Sequence, residues 1–373
     1  MKILFLDTRP VRRGAQVFLH DLSKEIIRKG HQVKKVYLYA EEGEGKLHLN
    51  QEDVELNGND SHLFEKFPTI NPFLFLKLRR EVKKYQPDII LLNGSRTLKY
   101  GAILKKLSGR KLKLVYRIID SVSFWNPHAY KQLYYRQLVM PMIDAAVGVS
   151  KASLTDVQKL HSFTKPAKVI HRAISTDDFE KILSRVELRK KFKLEEKDKV
   201  VLFLGNLTPQ KRPDRYLQVI EKLKSKNPHL KSWIVGDGIL RQENERMVQD
   251  LNLSETVTFW GYQQKVGEYI AASDILLLSS DTEGLPGVVL EAGYFGVPTV
   301  STDVGGIREA LEDGVSGYIT NKNVDDLVEK AHLLLQDENL RIRFGEIAKS
   351  KVMNDFNLIK ATEQYLDFFK TIS

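Results

Sequence analysis

A repeated alternation of short apolar runs with amphipathic helical segments constrains the fold of this chain more than any other feature. An apolar run at residues 2–6 is followed by a helical pattern at 15–29 and by a second apolar run at 32–38. Buried parallel strands are joined by helical crossovers, so this opening predicts the βαβ unit of a doubly wound α/β sheet. Further strands are predicted at residues 88–92, 112–119, 145–149 and 168–170, with helices at 72–85, at 98–107 and after the capping residue Ser150.

The alternation begins again near residue 200, which predicts a second α/β domain. A length of 373 residues exceeds what one ordinary core holds, so we expect domains at residues 1–176 and 177–354. Strands at 275–278 and 299–301 are expected to complete the second sheet. The last segment, from about residue 355 to 373, forms an amphipathic helix with no strand to pair with, and we expect it to cross back to the first domain.

Composition excludes several kinds of site. The chain contains no cysteine, so it has no thiolate nucleophile and no cysteine-ligated metal. The apolar run at the start ends at Asp7 and is too short for a signal peptide, and no later run reaches the roughly 18 apolar residues of a membrane span. We therefore expect a cytoplasmic protein.

Charge is distributed unevenly along the chain. Residues 1–200 carry 39 Lys and Arg against 23 Asp and Glu, whereas the remainder carries 19 against 25. This asymmetry has two interpretations: a solvated basic surface, or attraction of the first half to an anionic membrane or acceptor.

A loop with two glutamates follows the predicted strand at 275–278. Gly284 and Gly287 allow backbone amides to approach a ligand, and Pro286 stands where a helix can begin, so the helix end is able to hold a pyrophosphate. Glu291, one turn further, is placed to accept hydrogen bonds from ribose hydroxyls, and Glu283 to face a sugar. The alternative is that both are ordinary surface or capping carboxylates.

The stretch from Asp281 to Glu309 resembles the Glu-x(7)-Glu signature of the retaining glycosyltransferases of family 4, also called group 1. Glu283 and Glu291 stand at the two glutamate positions, and the Gly-Val-Pro and Asp-Val-Gly-Gly sequences that follow also resemble the family. The resemblance extends over nearly the whole chain and includes residues 13–16, 147–150, 205–211, 236–238 and 259–262.

This resemblance implies the GT-B architecture, in which two Rossmann-like domains face each other across a cleft. It implies a retaining, metal-independent hexosyltransferase that moves a sugar from a nucleotide-sugar, taken here as a UDP-sugar, to a glycan or lipid-linked hydroxyl, with no cofactor and no metal site. Cell-surface polysaccharide, glycolipid or glycan biosynthesis is the expected setting. We expect Glu283 and Asp120 to bracket the sugar as catalytic residues. The expected donor-binding residues are Gly14, Asn206, Lys211, Arg212, Gly236, Tyr262, Gly284, Leu285, Pro286, Gly287 and Glu291.

Lys211 is the residue that the resemblance assigns to the donor diphosphate. The assignment is physically reasonable, because a fixed cation and helix-end amides stabilise a diphosphate that gains charge as it leaves. The alternative is a solvated lysine in a turn.

Three positions depart from the family pattern. Asn206 stands where the family usually has an arginine, so either Arg212 compensates or the diphosphate is held less tightly. Arg172-Ala173 replaces the usual Asn-Gly pair, and Ile119-Asp120 replaces a His-Asp pair. Asp120 is therefore either a ligand for sugar hydroxyls or a turn cap. His20 and His128 are possible first-domain site residues, but lone histidines are more often structural.

The acceptor side gives a weaker signal. The helix near residues 73–84 combines apolar and basic positions, and further basic residues follow it: Lys105, Lys106, Arg110, Lys111 and Lys113. Such a surface is able to dock peripherally on anionic lipid at the inner face of the membrane. A core-facing helix with a solvated polar side is the alternative.

Other functions remain to be separated from sugar transfer. The basic first half suggests nucleic-acid binding, but its cations are scattered without a recognition motif, so we expect no nucleic-acid partner. A sugar-nucleotide isomerase or epimerase, or a phosphorylase, uses the same two-domain fold. A catalytically impaired nucleotide-sugar-binding protein is a further alternative, because the family histidine and arginine are replaced.

Overall fold

The computed structural model describes residues 1–43, 45–58, 70–108, 112–176 and 179–372. Arg110 and Lys111 of the basic set, residue 177 at the predicted domain boundary and residue 373 lie outside the described residues. The chain divides into two compact units. Unit 1 comprises Met1–Ala173 and Leu358–Ser373, and unit 2 comprises Ile174–Asn357.

Unit 1 contains a parallel sheet of seven strands within its described residues. The strands are β1 (Lys2–Asp7), β2 (Gln32–Tyr39), β3 (Val54–Gly58), β4 (Ile89–Asn93), β5 (Lys113–Ile118), β6 (Ala145–Gly148) and β7 (Ala167–Val169), in the order β3-β2-β1-β4-β5-β6-β7. The order reverses between β1 and β4, which makes that position the topological switch point of a doubly wound sheet.

Helices cover the sheet of unit 1. They are α1 (Gly14–Arg28), α2 (Pro72–Tyr85), α3 (Ser95–Ser108), α4 (Val122–Trp125), α5 (Ala129–Tyr134) and α6 (Lys151–His161). Local signals set their ends: the Asn71 side chain accepts from the amides of Phe73 and Leu74 at the start of α2, and Ser150 forms a capping box with Ser153 at the start of α6. A π-helical turn, Tyr135–Val139, extends α5.

Unit 2 repeats the architecture with a parallel sheet of six strands. The strands are β8 (Lys199–Leu204), β9 (Leu230–Val235), β10 (Val257–Gly261), β11 (Ile275–Leu278), β12 (Thr299–Thr302) and β13 (Gly317–Thr320), in the order β10-β9-β8-β11-β12-β13. The expectation that β11 and β12 complete the sheet was wrong, because β13 pairs with β12. Its four residues, Gly-Tyr-Ile-Thr, form too short an apolar run to signal a strand.

The helices of unit 2 are α7 (Arg185–Lys191), α8 (Pro213–Lys224), α9 (Arg241–Asp250), α10 (Val266–Ala272), α11 (Gly287–Tyr294), α12 (Ile307–Ala310), α13 (Val324–Gln336) and α14 (Glu338–Asp355). α14 passes close to the end of α11. A Cβ atom on Gly345 of α14 would stand 1.9 Å from the carbonyl oxygen of Gly296, so this contact requires glycine.

The last helix, α15 (Leu358–Ile372), belongs to unit 1 and packs against α1. Its buried face includes Tyr365 and Phe369, and the Tyr365 ring lies 6.1 Å from that of Phe18 in α1. The Tyr365 hydroxyl accepts a hydrogen bond of 3.1 Å from Nε of the buried Arg117 on β5. The apolar stripe of this helix is therefore part of the core of unit 1.

Candidate functional site

Two loops of unit 2 meet at the switch point of its sheet. One follows β8 and covers residues 205–211, and the other follows β11 and covers residues 279–286. In doubly wound sheets ligands bind outside the carboxyl ends of the strands at this point. Most of the residues expected to bind the donor therefore lie where the topology favours a ligand.

An ion pair joins the two loops. Nζ of Lys211 lies 2.5 Å from Oε1 of Glu283, and Oγ of Ser280 donates to the same oxygen at 2.6 Å. The side chain of Glu283 is 8% exposed and that of Lys211 is 21% exposed. The hydroxyl of Thr302 donates to the carbonyl of Ser280 at 2.7 Å and holds this part of the loop. The two residues expected to contact diphosphate and sugar thus pair with each other.

A second charged cluster lies behind this pair. The carboxylate of Asp281 accepts from Arg215 at 2.8 Å and from Arg212 at 3.2 Å, and Arg212 also donates to Asp214 at 2.7 Å. Burial alone would raise the pKa of Asp281, but the hydrogen bonds from Arg215 and Arg212 outweigh burial and hold that pKa below its ordinary value. The guanidinium of Arg212 is therefore engaged by two carboxylates.

The loop before α11 is fixed by its own backbone. Pro286 occupies the position just before the helix in extended conformation, and Glu283, Gly284, Leu285 and Pro286 are buried. The amide of Gly306 donates to the carbonyl of Gly284 at 2.7 Å. The first amides of the helix therefore follow Glu283 by a few residues and lie at the same edge of the sheet as the Lys211–Glu283 pair. Such a helix end favours an anion.

The ends of β8, β9 and β10 approach each other through glycines. The amide of Gly236 donates to the carbonyl of Gly261 at 2.7 Å, and a Cβ atom on Gly236 would stand 2.1 Å from the carbonyl oxygen of Gly205. The adjacent Asn206 and Tyr262 are exposed. Glu291 is half-buried in α11, one turn after Pro286.

Two of the expected site residues lie in unit 1. The carboxylate of Asp120 accepts from the amide of Ser121 and from Nε1 of Trp125, both at 2.8 Å, which fits the turn-cap alternative. Gly14 is the first residue of α1, and a Cβ atom there would stand 2.3 Å from the guanidinium of Arg172. The catalytic role of Asp120 and the donor contact of Gly14 stay predictions.

Neither of the two histidines named as possible site residues, His20 and His128, stands out as a catalytic base. His20 is buried beside Lys35, with Nδ1 3.1 Å from Nζ, and burial together with that ammonium lowers the pKa of His20 to about 3. His128 precedes α5 and stacks on Tyr130 with ring centroids 5.6 Å apart.

A buried polar network at the switch point of unit 1 was not predicted. Asp7 and Asn93 end the neighbouring strands β1 and β4, and Nδ2 of Asn93 donates to Asp7 at 2.6 Å. Gln16 donates to the other oxygen of Asp7 at 3.0 Å, and Arg117 donates to Asn93 at 2.8 Å. Burial raises the pKa of Asp7 to about 6, against these hydrogen bonds and the charge of Arg117. The sequence signal that could have revealed this network is the polar residue that ends each apolar strand, Asp7 in β1 and Asn93 in β4.

The described ranges contain neither a candidate metal cluster nor a candidate membrane span. No three His, Cys, Asp or Glu side chains there are grouped so that they could hold a metal ion. No helix in those ranges is both long enough and apolar enough to cross a membrane.

Curated relatives match almost the full length of the chain. N-acetyl-alpha-D-glucosaminyl L-malate synthase of Bacillus anthracis is 26% identical over 358 residues, which is 94% of this chain and 92% of the relative. The Campylobacter jejuni enzyme GalNAc-alpha-(1->4)-GalNAc-alpha-(1->3)-diNAcBac-PP-undecaprenol alpha-1,4-N-acetyl-D-galactosaminyltransferase is 27% identical over 374 residues, covering 98% and 97% of the two chains.

Solved structures share the fold. Anabaena HepE, determined in complex with UDP and glucose, superimposes with a TM-score of 0.83 at 20% identity, and the match covers 100% of both chains. The GT-B class expected from the sequence is thereby confirmed.

Family models match both halves of the chain. The model described as Glycosyltransferase Family 4 matches residues 12–178, and the model described as Glycosyl transferases group 1 matches residues 184–351. Together they leave only the ends and a short connecting stretch unmatched. The chain therefore belongs to the group 1 glycosyltransferases.

Proposed function

We propose that this glycosyltransferase uses a UDP-sugar as donor, transfers the sugar with retention and without a metal ion, and delivers it to a glycan or lipid-linked hydroxyl. The donor proposal is supported by the fold shared with HepE, whose structure contains UDP and glucose. The acceptor proposal is supported by the Campylobacter jejuni relative, whose name specifies an undecaprenol-linked glycan.

The observation that carries the proposal is the Lys211–Glu283 ion pair at the switch point of unit 2. A diphosphate at this edge of the sheet would take Lys211 as its counter-charge and leave Glu283 free to accept hydrogen bonds from sugar hydroxyls. The diphosphate gains negative charge as the glycosidic bond breaks. Lys211 and the first amides of α11 would stabilise that charge in place of a metal ion.

The remaining donor contacts follow from the same placement. Glu291, one turn into α11, would bind the ribose hydroxyls. The backbone around Gly205 and Gly236 would allow the donor to approach closely, because these glycines lie where three strand ends come together. Donor contacts are also assigned to Gly14 in unit 1 and to these residues of unit 2: Asn206, Arg212, Tyr262, Gly284, Leu285, Pro286 and Gly287.

Retention places the acceptor on the face that the nucleotide leaves. The leaving phosphate oxygen is then able to take the proton of the incoming hydroxyl, which reduces the need for a separate base. Asp120 would bind a sugar or acceptor hydroxyl in this scheme. We place the enzyme in the cytoplasm, peripherally at the inner face of the membrane.

A thermal-shift screen of UDP-, GDP- and ADP-sugars tests the donor, each with and without a chelator. Binding to the folded state raises the melting temperature by mass action, so the correct donor should do so with chelator present. Lys211→Ala and Glu291→Ala should reduce this shift, whereas Lys222→Ala, which removes an exposed lysine paired with Asp325, should not. No response to any nucleotide-sugar, or an unchanged response in Lys211→Ala, would contradict the proposal.

Product analysis separates transfer from the alternatives. An isomerase or epimerase would convert the responding nucleotide-sugar without an acceptor and without releasing free nucleotide. A binding protein would show the thermal shift but no turnover. Transfer predicts UDP release that depends on the acceptor and falls in Glu283→Ala.

A further inference from the structure

One segment of unit 1 exposes an unusual number of large apolar side chains. It covers residues 122–138, comprising α4, α5 and most of the π-helical turn. Five of its apolar side chains are exposed, and we call them the aromatic surface: Phe124 (45%), Trp125 (55%), Tyr130 (60%), Leu133 (44%) and Leu138 (61%). Clustered apolar exposure of this kind marks an interaction site rather than ordinary surface.

The same segment carries only positive charge. Residues 121–143 contain no Asp or Glu, whereas Lys131 and Arg136 lie among the aromatic surface residues. Arg136 is exposed, and Nζ of Lys131 lies 6.0 Å from the centre of the Tyr130 ring. The aromatic surface therefore combines apolar contact with attraction for anions.

The packing of this segment leaves its apolar side chains facing outward. α4, α5 and the π-helical turn contact α6, and Val122, Tyr134 and Tyr135 pack on the core of the unit. The ring of Phe124 stands edge-on to that of Trp125 at 5.1 Å. Because Nε1 of Trp125 already donates to Asp120, the indole can leave water without losing a hydrogen bond.

We propose that the aromatic surface docks this protein on an anionic lipid bilayer. Exposed Trp and Tyr with Lys and Arg are the side chains that settle at a membrane interface, and the cations Lys131 and Arg136 complement anionic headgroups. The inference rests on the proposed function, because a lipid-linked acceptor must be reached at such a surface. Asp120, which holds Trp125, follows β5 at the carboxyl edge of the sheet, so docking would bring that edge to the bilayer.

Helix α2 is the competing surface. It exposes Phe73 (70%) and Leu76 (50%), together with Arg79 and Arg80. Its opposite side is buried in the core, and its charge is mixed, because Glu81 pairs with Lys34 at 2.6 Å. Substitutions in α2 therefore serve as controls, because they remove the same number and kind of side chains as the substitutions in the aromatic surface.

Co-sedimentation with vesicles distinguishes the two surfaces. We expect the full chain to bind vesicles of phosphatidylcholine mixed with phosphatidylglycerol at low salt, and to bind vesicles of phosphatidylcholine alone far more weakly. Lys131→Gln with Arg136→Gln should weaken binding by about 25-fold, from about fivefold per basic residue. Leu133→Ser with Leu138→Ser should also weaken it. The matched pairs Arg79→Gln with Arg80→Gln and Phe73→Ser with Leu76→Ser should bind as the unchanged protein does.

Tryptophan fluorescence provides a direct readout of the docked surface. The chain has three tryptophans, all of them described; Trp233 is buried, Nε1 of Trp260 is buried, and Trp125 alone has an exposed side chain. Transfer of Trp125 from water into the headgroup region should shift its emission to the blue. Addition of the mixed vesicles should cause this shift in the unchanged protein but not in Trp125→Phe.

Several results would overturn the inference. Failure to bind mixed vesicles, equal losses in the α2 variants, or no blue shift would each do so. A dimer that Leu133→Ser with Leu138→Ser separates would instead assign the aromatic surface to a second copy of the chain. The thermal shift with UDP-sugar is measured on the same variants. A normal shift without vesicle binding refutes docking alone, whereas no shift in the unchanged protein refutes the proposed function.

Discussion

Glu283→Gln should separate the two tasks that we assign to the Lys211–Glu283 pair. Glu283 lies 2.5 Å from Lys211 and neutralises it, so a diphosphate that binds Lys211 must displace a carboxylate that also repels it. The amide of Gln keeps the shape and a hydrogen-bonding oxygen for Ser280 but carries no charge. We therefore expect UDP to bind more tightly to the variant, whereas turnover of the UDP-sugar falls because the sugar loses its carboxylate partner.

The size of the effect follows from burial. Two unit charges 4 Å apart interact by about 4 kcal/mol near a protein surface and by about 1 kcal/mol in bulk water. The side chains of Lys211 and Glu283 are 21% and 8% exposed, so the protein value applies to this pair rather than the value in bulk water. If about 1 to 2 kcal/mol of this attraction opposes diphosphate binding, Glu283→Gln should lower the Kd for UDP by about 5- to 30-fold.

Titration calorimetry with UDP measures this change, and UDP release with acceptor present measures turnover. Asp325→Asn is the control, because it also removes one negative charge of unit 2 but from an exposed pair with Lys222. Weaker UDP binding by Glu283→Gln, with the control unchanged, would refute the reasoning. It would mean that Glu283 positions Lys211 for the diphosphate rather than competing with it.

Two further predictions concern stability. The pKa of Asp7 is about 6 in the folded protein and ordinarily 3.8, so the folded state binds more protons between these values and its free energy of unfolding falls as the pH rises. Urea unfolding should therefore show Asp7→Asn gaining about 2 kcal/mol relative to the unchanged protein from about pH 4 to about pH 7. Gly305 has φ +50, and a Cβ atom there would stand 1.8 Å from the carbonyl of Glu283. Gly305→Ala should lower the melting temperature well beyond the matched Gly314→Ala, where φ is +71 and space is open.

Elements with strong local signals could be predicted from the sequence. Helix α2 was predicted within its observed bounds, because Asn71 caps it, Pro72 occupies its first turn and Gln86 ends it in left-handed conformation. β3 and β13, of five and four residues, were missed. Each of these short strands is held by pairing with the strand that precedes it, β2 or β12, so its own residues carry little pattern.

The candidate site was also predictable only in part. The loops at 205–211 and 279–286 could be located from their glycines and their position after apolar strands. The pairings within them could not, because Lys211 and Glu283 lie 72 positions apart and Asn93 and Asp7 lie 86 positions apart. Sequence spacing is informative only where one helix or strand fixes the geometry between two residues.

In the proposed site, Asn206 stands where the resemblance leads us to expect an arginine, so the diphosphate would depend more on Lys211. Arg212 was the candidate to compensate, but it donates to Asp214 and Asp281, and Arg215 is held by Asp281 and by the carbonyl of Ser279. Moving either guanidinium to a ligand would draw it away from carboxylates that are part-buried, which carries a cost. Lys211 would also move away from a carboxylate, but that carboxylate, Glu283, would then accept hydrogen bonds from the hydroxyls of the sugar.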